Sequence, residues 1–180
     1  MNSNSESVEN ISEKEIIILL DLISIEEIIT YISSNIVDIL LENKEKIKIK
    51  KEEDPLYSNR IPIIRIEEYI VRLVKYSKID KSTLIITYIY IKRFILKEDY
   101  LISFNNIFRL IISCLILAIK FNENKTYKNS YYAKIGGLDV NDLNNLEYNI
   151  FSRLNFQLRI IDIEFFNLTY KIYKEVKSKG

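Results

Sequence analysis

Residues 107–121 read IFRLIISCLILAIKF, and only three of these residues, Arg109, Ser113 and Lys120, are polar. At about 100° per residue these three fall within roughly 40° of one another, which leaves a helix that is apolar everywhere else. Such a pattern is typical of the central helix of a bundle, surrounded by neighbouring helices. The unbroken apolar run, residues 114–119, is too short to cross a bilayer. The stretch therefore predicts a buried helix and no membrane partner.

The composition favours an all-α protein of one domain. The chain has 180 residues, of which 48% are hydrophobic and 28% are charged. With only 3 Gly and 2 Pro there is little to interrupt long helices. The formal net charge is +1, which gives no general attraction to nucleic acid or anionic lipid. We therefore expect a helical protein whose partner is not nucleic acid.

Several classes of chemistry are disfavoured by the residue types present. The chain has no His, and its single Cys lies in the apolar helix. It shows no Gly-rich phosphate loop and no metal-ligand motif, so we expect neither enzymatic activity, nor a metal, nor a cofactor. A single Cys and a polar amino terminus without an apolar signal segment favour a location in the nucleus, the cytoplasm or both.

The periodicity divides the chain into segments. A helix should begin at Ser12, which is followed by Glu15 at capping-box spacing, and Ser24 is a possible cap of the next helix. Other caps are expected at Asp80 or Ser82, at Ser103 for the central helix and at Asp139. The predicted segments are a disordered terminus (1–11), a helical extension (12–41), a charged linker (42–54), a helical core segment (55–160) and a short carboxy-terminal helix (161–180).

Two charged residues occupy unexpected positions. Lys120 ends the apolar central helix, and Glu147 interrupts the apolar face of a later helix, about 20° from Val140. A carboxylate on an apolar face is costly unless it is paired. One interpretation is an internal ion pair between Lys120 and Glu147. The other is that both side chains emerge at one edge of the bundle and hydrogen-bond the backbone of a partner. Spacing alone leaves both interpretations open.

A family resemblance favours the second interpretation. The stretches that carry it are 61–73 (IPIIRIEEYIVRL), 88–94 (YIYIKRF), 109–121, 129–137 (NSYYAKIGG), 143–147 (LNNLE) and 154–156 (LNF). From Asp54 to about Phe166 the chain resembles the cyclin box of the P-type cyclins, the group typified by phosphate-signalling cyclins of fungi and plants. The resemblance implies that residues 55–160 form one five-helix cyclin box. It also implies a regulatory subunit that binds and activates a cyclin-dependent protein kinase as a heterodimer.

The resemblance also assigns residues to the kinase interface. In that family a lysine of the third box helix and a glutamate of the fifth bind the kinase backbone, and these correspond to Lys120 and Glu147. Phe121 is a candidate because it follows Lys120. Tyr131 and Tyr132 are further candidates, although such amphipathic aromatic residues could equally line the bundle. A cyclin-fold scaffold or a transcription-factor-like module without a kinase is the alternative function.

One position departs from the family pattern. The usual cyclin box has an aspartate before the arginine of its second helix, whereas here Lys92 precedes Arg93. The ion pair that the family makes at this point should therefore be absent or rebuilt, with Glu67 or Glu68 as the suggested partners.

Overall fold

The structure is a computed structural model that describes residues 12–46 and 54–178. Within these ranges it contains eight helices and no strand, which confirms the all-α prediction. The expected disorder of residues 1–11 and the linker residues 47–53 lie outside the described residues. The helices are α1 (Glu13–Asp21), α2 (Ile25–Asn43), α3 (Ile66–Ser77), α4 (Lys81–Glu98), α5 (Ile107–Asn122), α6 (Asn129–Gly136), α7 (Val140–Arg153) and α8 (Asp162–Ser178).

Most of the predicted caps form. Ser12 and Ser24 each complete a capping box at the start of α1 and α2. Asp80 accepts a hydrogen bond from the backbone N–H of Thr83 at 2.8 Å and caps α4. Asp139 caps α7 in a similar way. These side chains satisfy backbone N–H groups that have no partner within their helices.

The prediction that Ser103 caps the central helix is wrong. Asn106 is the N-cap of α5, and its side chain makes no capping bond. Instead the Asn106 side chain accepts a hydrogen bond from the Ser103 N–H at 2.8 Å and donates one to the Leu101 carbonyl at 3.1 Å. Ser103 contributes backbone groups only: besides that N–H, its carbonyl accepts from the N–H groups of Asn106 and Ile107. The asparagine thus fixes the loop that precedes the helix.

Helix α5 is the centre of the bundle, as its sequence predicts. Every residue from position 110 to position 119 is buried, and the most extensive packing partners are α4 and then α7. The polar groups of the stripe are hydrogen-bonded, except for Nε of Arg109, which is buried without a hydrogen-bond partner among the described residues. Ser113 donates to the Arg109 carbonyl at 2.7 Å, and Arg109 donates to the Pro55 carbonyl at 2.9 Å. Lys120, at the carboxyl end, is exposed, and the Arg109 side chain is partly exposed, 3.5 Å from Asp142. None of the helices described here is long and apolar enough to cross a membrane.

A close approach fixes α6 against the central helix. Gly136 is the last residue of α6, and a Cβ atom built on it would lie 1.9 Å from Cδ1 of Ile112. The Tyr69 hydroxyl of α3 donates to the Gly136 carbonyl at 3.3 Å. Gly137 then ends the helix with a left-handed φ of 74°, which glycine adopts without strain. This junction sets the position of Asn129, at the other end of α6.

Lys92 forms no ion pair among the described residues, whereas its neighbour Arg93 does. Its guanidinium donates to Glu164 of α8, with Nε 2.9 Å from Oε1 and a second short contact to Oε2. The suggested partners are engaged elsewhere, since Glu68 pairs with Arg65 and Glu67 accepts a hydrogen bond from Thr30. Among the described residues the family's ion pair at position 92 is therefore absent, which is one of the two predicted outcomes, and it is not rebuilt with Glu67 or Glu68. The neighbouring Arg93 is paired by the carboxy-terminal helix.

Candidate functional site

The two charged residues singled out by helical periodicity meet at one end of the bundle. Lys120 Nζ, in the last turn of α5, lies 2.7 Å from both carboxylate oxygens of Glu147 on α7. The side chain of Lys120 is 38% exposed and that of Glu147 is 17% exposed. The internal ion pair therefore forms in the isolated chain. It forms at the surface, where a partner could reach both groups.

The local helices explain this position. Lys120 lies at the carboxyl end of α5, where a cation interacts favourably with the helix dipole and its alkyl stem can lie on the bundle. On α7, Leu143, Leu146 and Ile150 are buried. Glu147 lies on the border of this buried face and is partly buried, so its carboxylate points along the edge of the α5–α7 contact.

A pair of asparagines extends the ion pair into a small polar network. The Asn129 side chain, at the start of α6, donates to Glu147 Oε2 at 2.8 Å and to Asn144 Oδ1 at 2.7 Å. The carboxylate thus accepts hydrogen bonds from two helices, which fixes its orientation. Sequence reasoning did not single out Asn129 or Asn144. The available signal was the three-residue spacing of Asn144 and Glu147, which places both on one face of α7.

Exposed aromatic side chains adjoin the ion pair in sequence. Phe121, which follows Lys120, is 56% exposed, and Tyr148, which follows Glu147, is 68% exposed. Tyr127, in the loop before α6, is 44% exposed. Large exposed aromatic residues beside charged hydrogen-bonding groups are typical of a protein–protein interface. Phe121 is exposed and its role in binding stays a prediction, whereas Tyr127 and Tyr148 were not singled out because no helical pattern distinguishes them.

The two predicted tyrosines differ in their surroundings. Tyr132 is only 1% exposed, and its hydroxyl accepts a hydrogen bond from the Tyr127 N–H at 3.0 Å. Burial raises the pKa of Tyr132. It therefore lines the bundle, which was the alternative placement, and it offers no surface to a partner. Tyr131 is partly buried and donates to the Tyr76 carbonyl at 2.8 Å. Its ring lies 4.5 Å from that of Tyr127, so it supports the exposed ring.

The site presents a hydrogen-bond donor and a hydrogen-bond acceptor side by side. The ammonium of Lys120 can donate to carbonyl groups, and the carboxylate of Glu147 can accept from N–H groups. In the two ranges that the structure describes, no group of three or more Cys, Asp or Glu side chains could hold a metal ion. The pair thus presents one donor group and one acceptor group side by side at the surface.

Comparison with known proteins identifies the family. Residues 4–158 match the sequence model of the family described as Cyclin. The chain belongs to the cyclin family. The matched region of this cyclin includes the helical extension as well as the predicted box, and it ends two residues before the predicted box boundary at 160.

Several plant cyclins are similar to this cyclin. It is 36% identical to Cyclin-U2-1 of Arabidopsis thaliana over 121 residues, which are 67% of this chain and 54% of the relative. It is 30% identical to Cyclin-U4-3 of Arabidopsis thaliana over 136 residues, 75% of this chain and 62% of the relative. It is 29% identical to Cyclin-P3-1 of Oryza sativa subsp. japonica over 119 residues, 66% of this chain and 50% of the relative. The cyclin thus spans about half the length of the relatives that it matches.

Proposed function

We propose that this cyclin is the regulatory subunit of a cyclin-dependent protein kinase, and that it binds the kinase through the surface formed by Lys120, Glu147 and Phe121. The observation that carries the proposal is the position of the Lys120–Glu147 pair. Two groups with opposite hydrogen-bonding polarity lie at one exposed edge of a cyclin fold, next to exposed aromatic side chains.

Binding requires that the internal pair be exchanged for contacts with the kinase. A partly exposed ion pair contributes about 1 kcal/mol or less, because water already screens it. A hydrogen bond from a charged group to a backbone contributes roughly 1.5–3 kcal/mol once the interface excludes water. The exchange is therefore favourable. Asn129 holds Glu147 in place before the kinase arrives, which reduces the entropy lost on binding.

The expected consequence for the kinase is a shift in conformation. The cyclin supplies no reacting group and acts by binding the active arrangement of the kinase more tightly than the inactive one. In kinases that arrangement requires the lysine–glutamate pair that holds the ATP phosphates. The Phe121 and Tyr148 rings would supply the apolar part of the contact, beside the kinase helix that carries this glutamate.

Two finer assignments belong to the same proposal. The P-type subclass is supported by the resemblance of the cyclin box and by one rice relative with a P-type name, while the Arabidopsis relatives carry U-type names. Action in the nucleus, the cytoplasm or both fits a chain with one buried thiol and a kinase partner.

The test is affinity capture of the tagged chain from its own cells, followed by assay and identification of any bound protein kinase. The Lys120→Ala, Glu147→Ala variant is captured in parallel. A matched control is Arg65→Ala, Glu68→Ala. It removes an exposed ion pair at the start of α3, in which Arg65 Nε lies 2.8 Å from Glu68 Oε1. We expect kinase activity with the unmodified chain and the control but not with the first variant.

The other outcomes distinguish kinase binding from a role without a kinase and from a purely structural role of the pair. A fold that stays helical in the Lys120→Ala, Glu147→Ala variant, with kinase lost, assigns the pair to binding. If no kinase is captured by the unmodified chain either, the kinase proposal fails and a scaffold or transcription-factor-like role without a kinase takes its place. If the double variant unfolds, the pair is structural.

A further inference from the structure

A second surface lies between α4 and α8, away from the α5–α7 edge described above. The two helices pack together and leave an open cleft of about 460 Å³. The cleft combines an apolar floor with polar and cationic side chains. Its lining includes Ile89, Lys92, Leu96, Ile163, Asn167 and Lys171.

The charges in this cleft do not cancel. Arg93 and Glu164 also line it, but they neutralise each other through the ion pair described above, and Arg93 donates further to the Arg159 carbonyl at 3.1 Å. The cations that remain are Lys92 and Lys171. Neither forms an ion pair or a hydrogen bond within residues 12–46 and 54–178. The cleft therefore carries two positive charges beyond its internal pair.

The two lysines lie close enough to affect each other. Burial of Lys92 lowers its pKa, the charge of Lys171 lowers that pKa further, and Glu164 raises it in part. Lys92 Nζ also lies 6.0 Å from the centroid of the Tyr88 ring on its own helix, a contact that does not neutralise the ammonium. Two like charges that face one cleft repel each other, and an anion placed between them would relieve this repulsion.

We propose that the cleft between α4 and α8 binds a phosphorylated serine or threonine in a peptide segment of a partner protein. A phosphate at neutral pH carries a charge of about −1.5 to −2, which matches the two lysines, and lysine binds phosphate as a point charge. The cleft is much larger than a phosphate group. Its apolar floor and the exposed Leu96 can contact a residue next to the phosphorylated one.

This site goes beyond the proposed kinase binding and depends on a departure of this chain from its family. Lys92 occupies the position where the resemblance implies an aspartate. An aspartate there would repel a phosphate, whereas the observed lysine attracts it. Arg93 is already neutralised by Glu164 of α8, so the ammonium of Lys92 is available for binding.

The test is binding of the full chain to short peptides with a fixed central phosphoserine and randomised flanking residues. Fluorescence anisotropy is the measurement, and matched peptides with serine or glutamate at the centre are the comparison. We expect the phosphoserine peptides to bind, and Lys92→Met and Lys171→Met each to weaken that binding about tenfold. Lys92→Arg should retain it, and Lys92→Asp should abolish it.

A matched control tests whether the effect is local. Lys174→Met removes an exposed lysine from α8 that lies 4.6 Å from the Tyr170 ring and does not line the cleft. Its binding should equal that of the unmodified chain. The Lys120→Ala, Glu147→Ala variant should also bind the phosphoserine peptides normally, so failure of the kinase proposal can be told apart from failure of this one.

The proposal is overturned by any of four results. The first is that the phosphoserine peptides do not bind, and the second is that Lys174→Met weakens their binding as much as Lys92→Met does. The third is that the glutamate peptides bind with the same affinity. The fourth is that inorganic phosphate displaces the bound peptide at concentrations as low as those at which unlabelled phosphoserine peptide does. The last result would make the cleft a site for a free anion.

Discussion

Gly136 of α6 packs so closely on Ile112 of α5 that a side chain at position 136 should destabilise the protein. In a Gly136→Ala variant the new Cβ would lie 1.9 Å from Ile112 Cδ1 and 3.3 Å from Cγ1. Ile112 is 1% exposed on the central helix, so its side chain has little space to move. Overpacking of this kind costs about 1–3 kcal/mol. Replacing glycine by alanine within a helix stabilises the helix by at most about 1 kcal/mol. We therefore expect a net destabilisation of about 1–2 kcal/mol.

A second substitution tests whether this contact is the cause. Ile112→Val removes Cδ1, the atom in the shortest contact, and alone should cost about 0.5–1.5 kcal/mol. The overpacking is relieved in the double variant, so its destabilisation should be about 1 kcal/mol less than the sum of the two single costs. Urea unfolding followed by far-ultraviolet circular dichroism gives all three free energies of unfolding. Equal denaturant slopes would show that the comparison is valid.

The neighbouring glycine supplies the control. Gly137→Ala would meet no atom within 4 Å, but its φ of 74° is left-handed, so the substitution should cost about 1–2 kcal/mol through backbone strain. Ile112→Val should not reduce that cost. If Gly136→Ala is neutral or stabilising, or if its cost is simply additive with that of Ile112→Val, then the α5–α6 contact does not limit this position and the reasoning is refuted.

Three further predictions concern buried groups. Cys114 is fully buried and its pKa is raised by burial, so a thiol reagent should modify it only at the rate of unfolding, and rapid reaction of the native protein would contradict its position. Burial raises the pKa of Tyr90 from 10.0 to about 12, so the fold favours the neutral phenol. The free energy of unfolding should therefore keep its full value below pH 10 and fall as the pH rises from 10 to 12, as urea unfolding at several pH values would measure. Arg93→Met leaves the partly buried Glu164 carboxylate without its cation and should lower the free energy of unfolding by about 1–3 kcal/mol, whereas the Arg93→Met, Glu164→Leu variant should recover part of this loss.

The central helix and the charged pair could be predicted from local pattern alone. The period of the apolar residues defined α5, and the same period showed that Lys120 and Glu147 departed from the pattern of their helices. Because α5 and α7 pack against each other, two such departures at matching heights meet. The pattern could not decide between an internal pair and a partner contact, because both uses need the same side chains at the same edge.

The surroundings of the pair depended on contacts that no local pattern contains. Tyr131 and Tyr132 are adjacent in sequence and identical in type, yet α6 turns one towards Tyr76 and buries the other. That orientation is set by the packing of Gly136 on Ile112, two residues on different helices. Tyr127 lies in a loop without periodicity, so its exposure could not be read from spacing. The start of α5 at Asn106 rather than at Ser103 likewise goes with loop hydrogen bonds of the Asn106 side chain that no local pattern contains.

The partner of Arg93 has a consequence for where the folded unit ends. The family match stops at residue 158, but Glu164 and the buried Phe165, Leu168 and Ile172 belong to α8. Helix α8 packs on α1, α2 and α4, and α1 has no buried residue of its own, so α1 relies on α8 for its position. A chain cut before α8 would expose the apolar side of α4 and leave Arg93 without its carboxylate. The helical extension and α8 therefore stabilise the box together, and the stable unit is larger than residues 55–160.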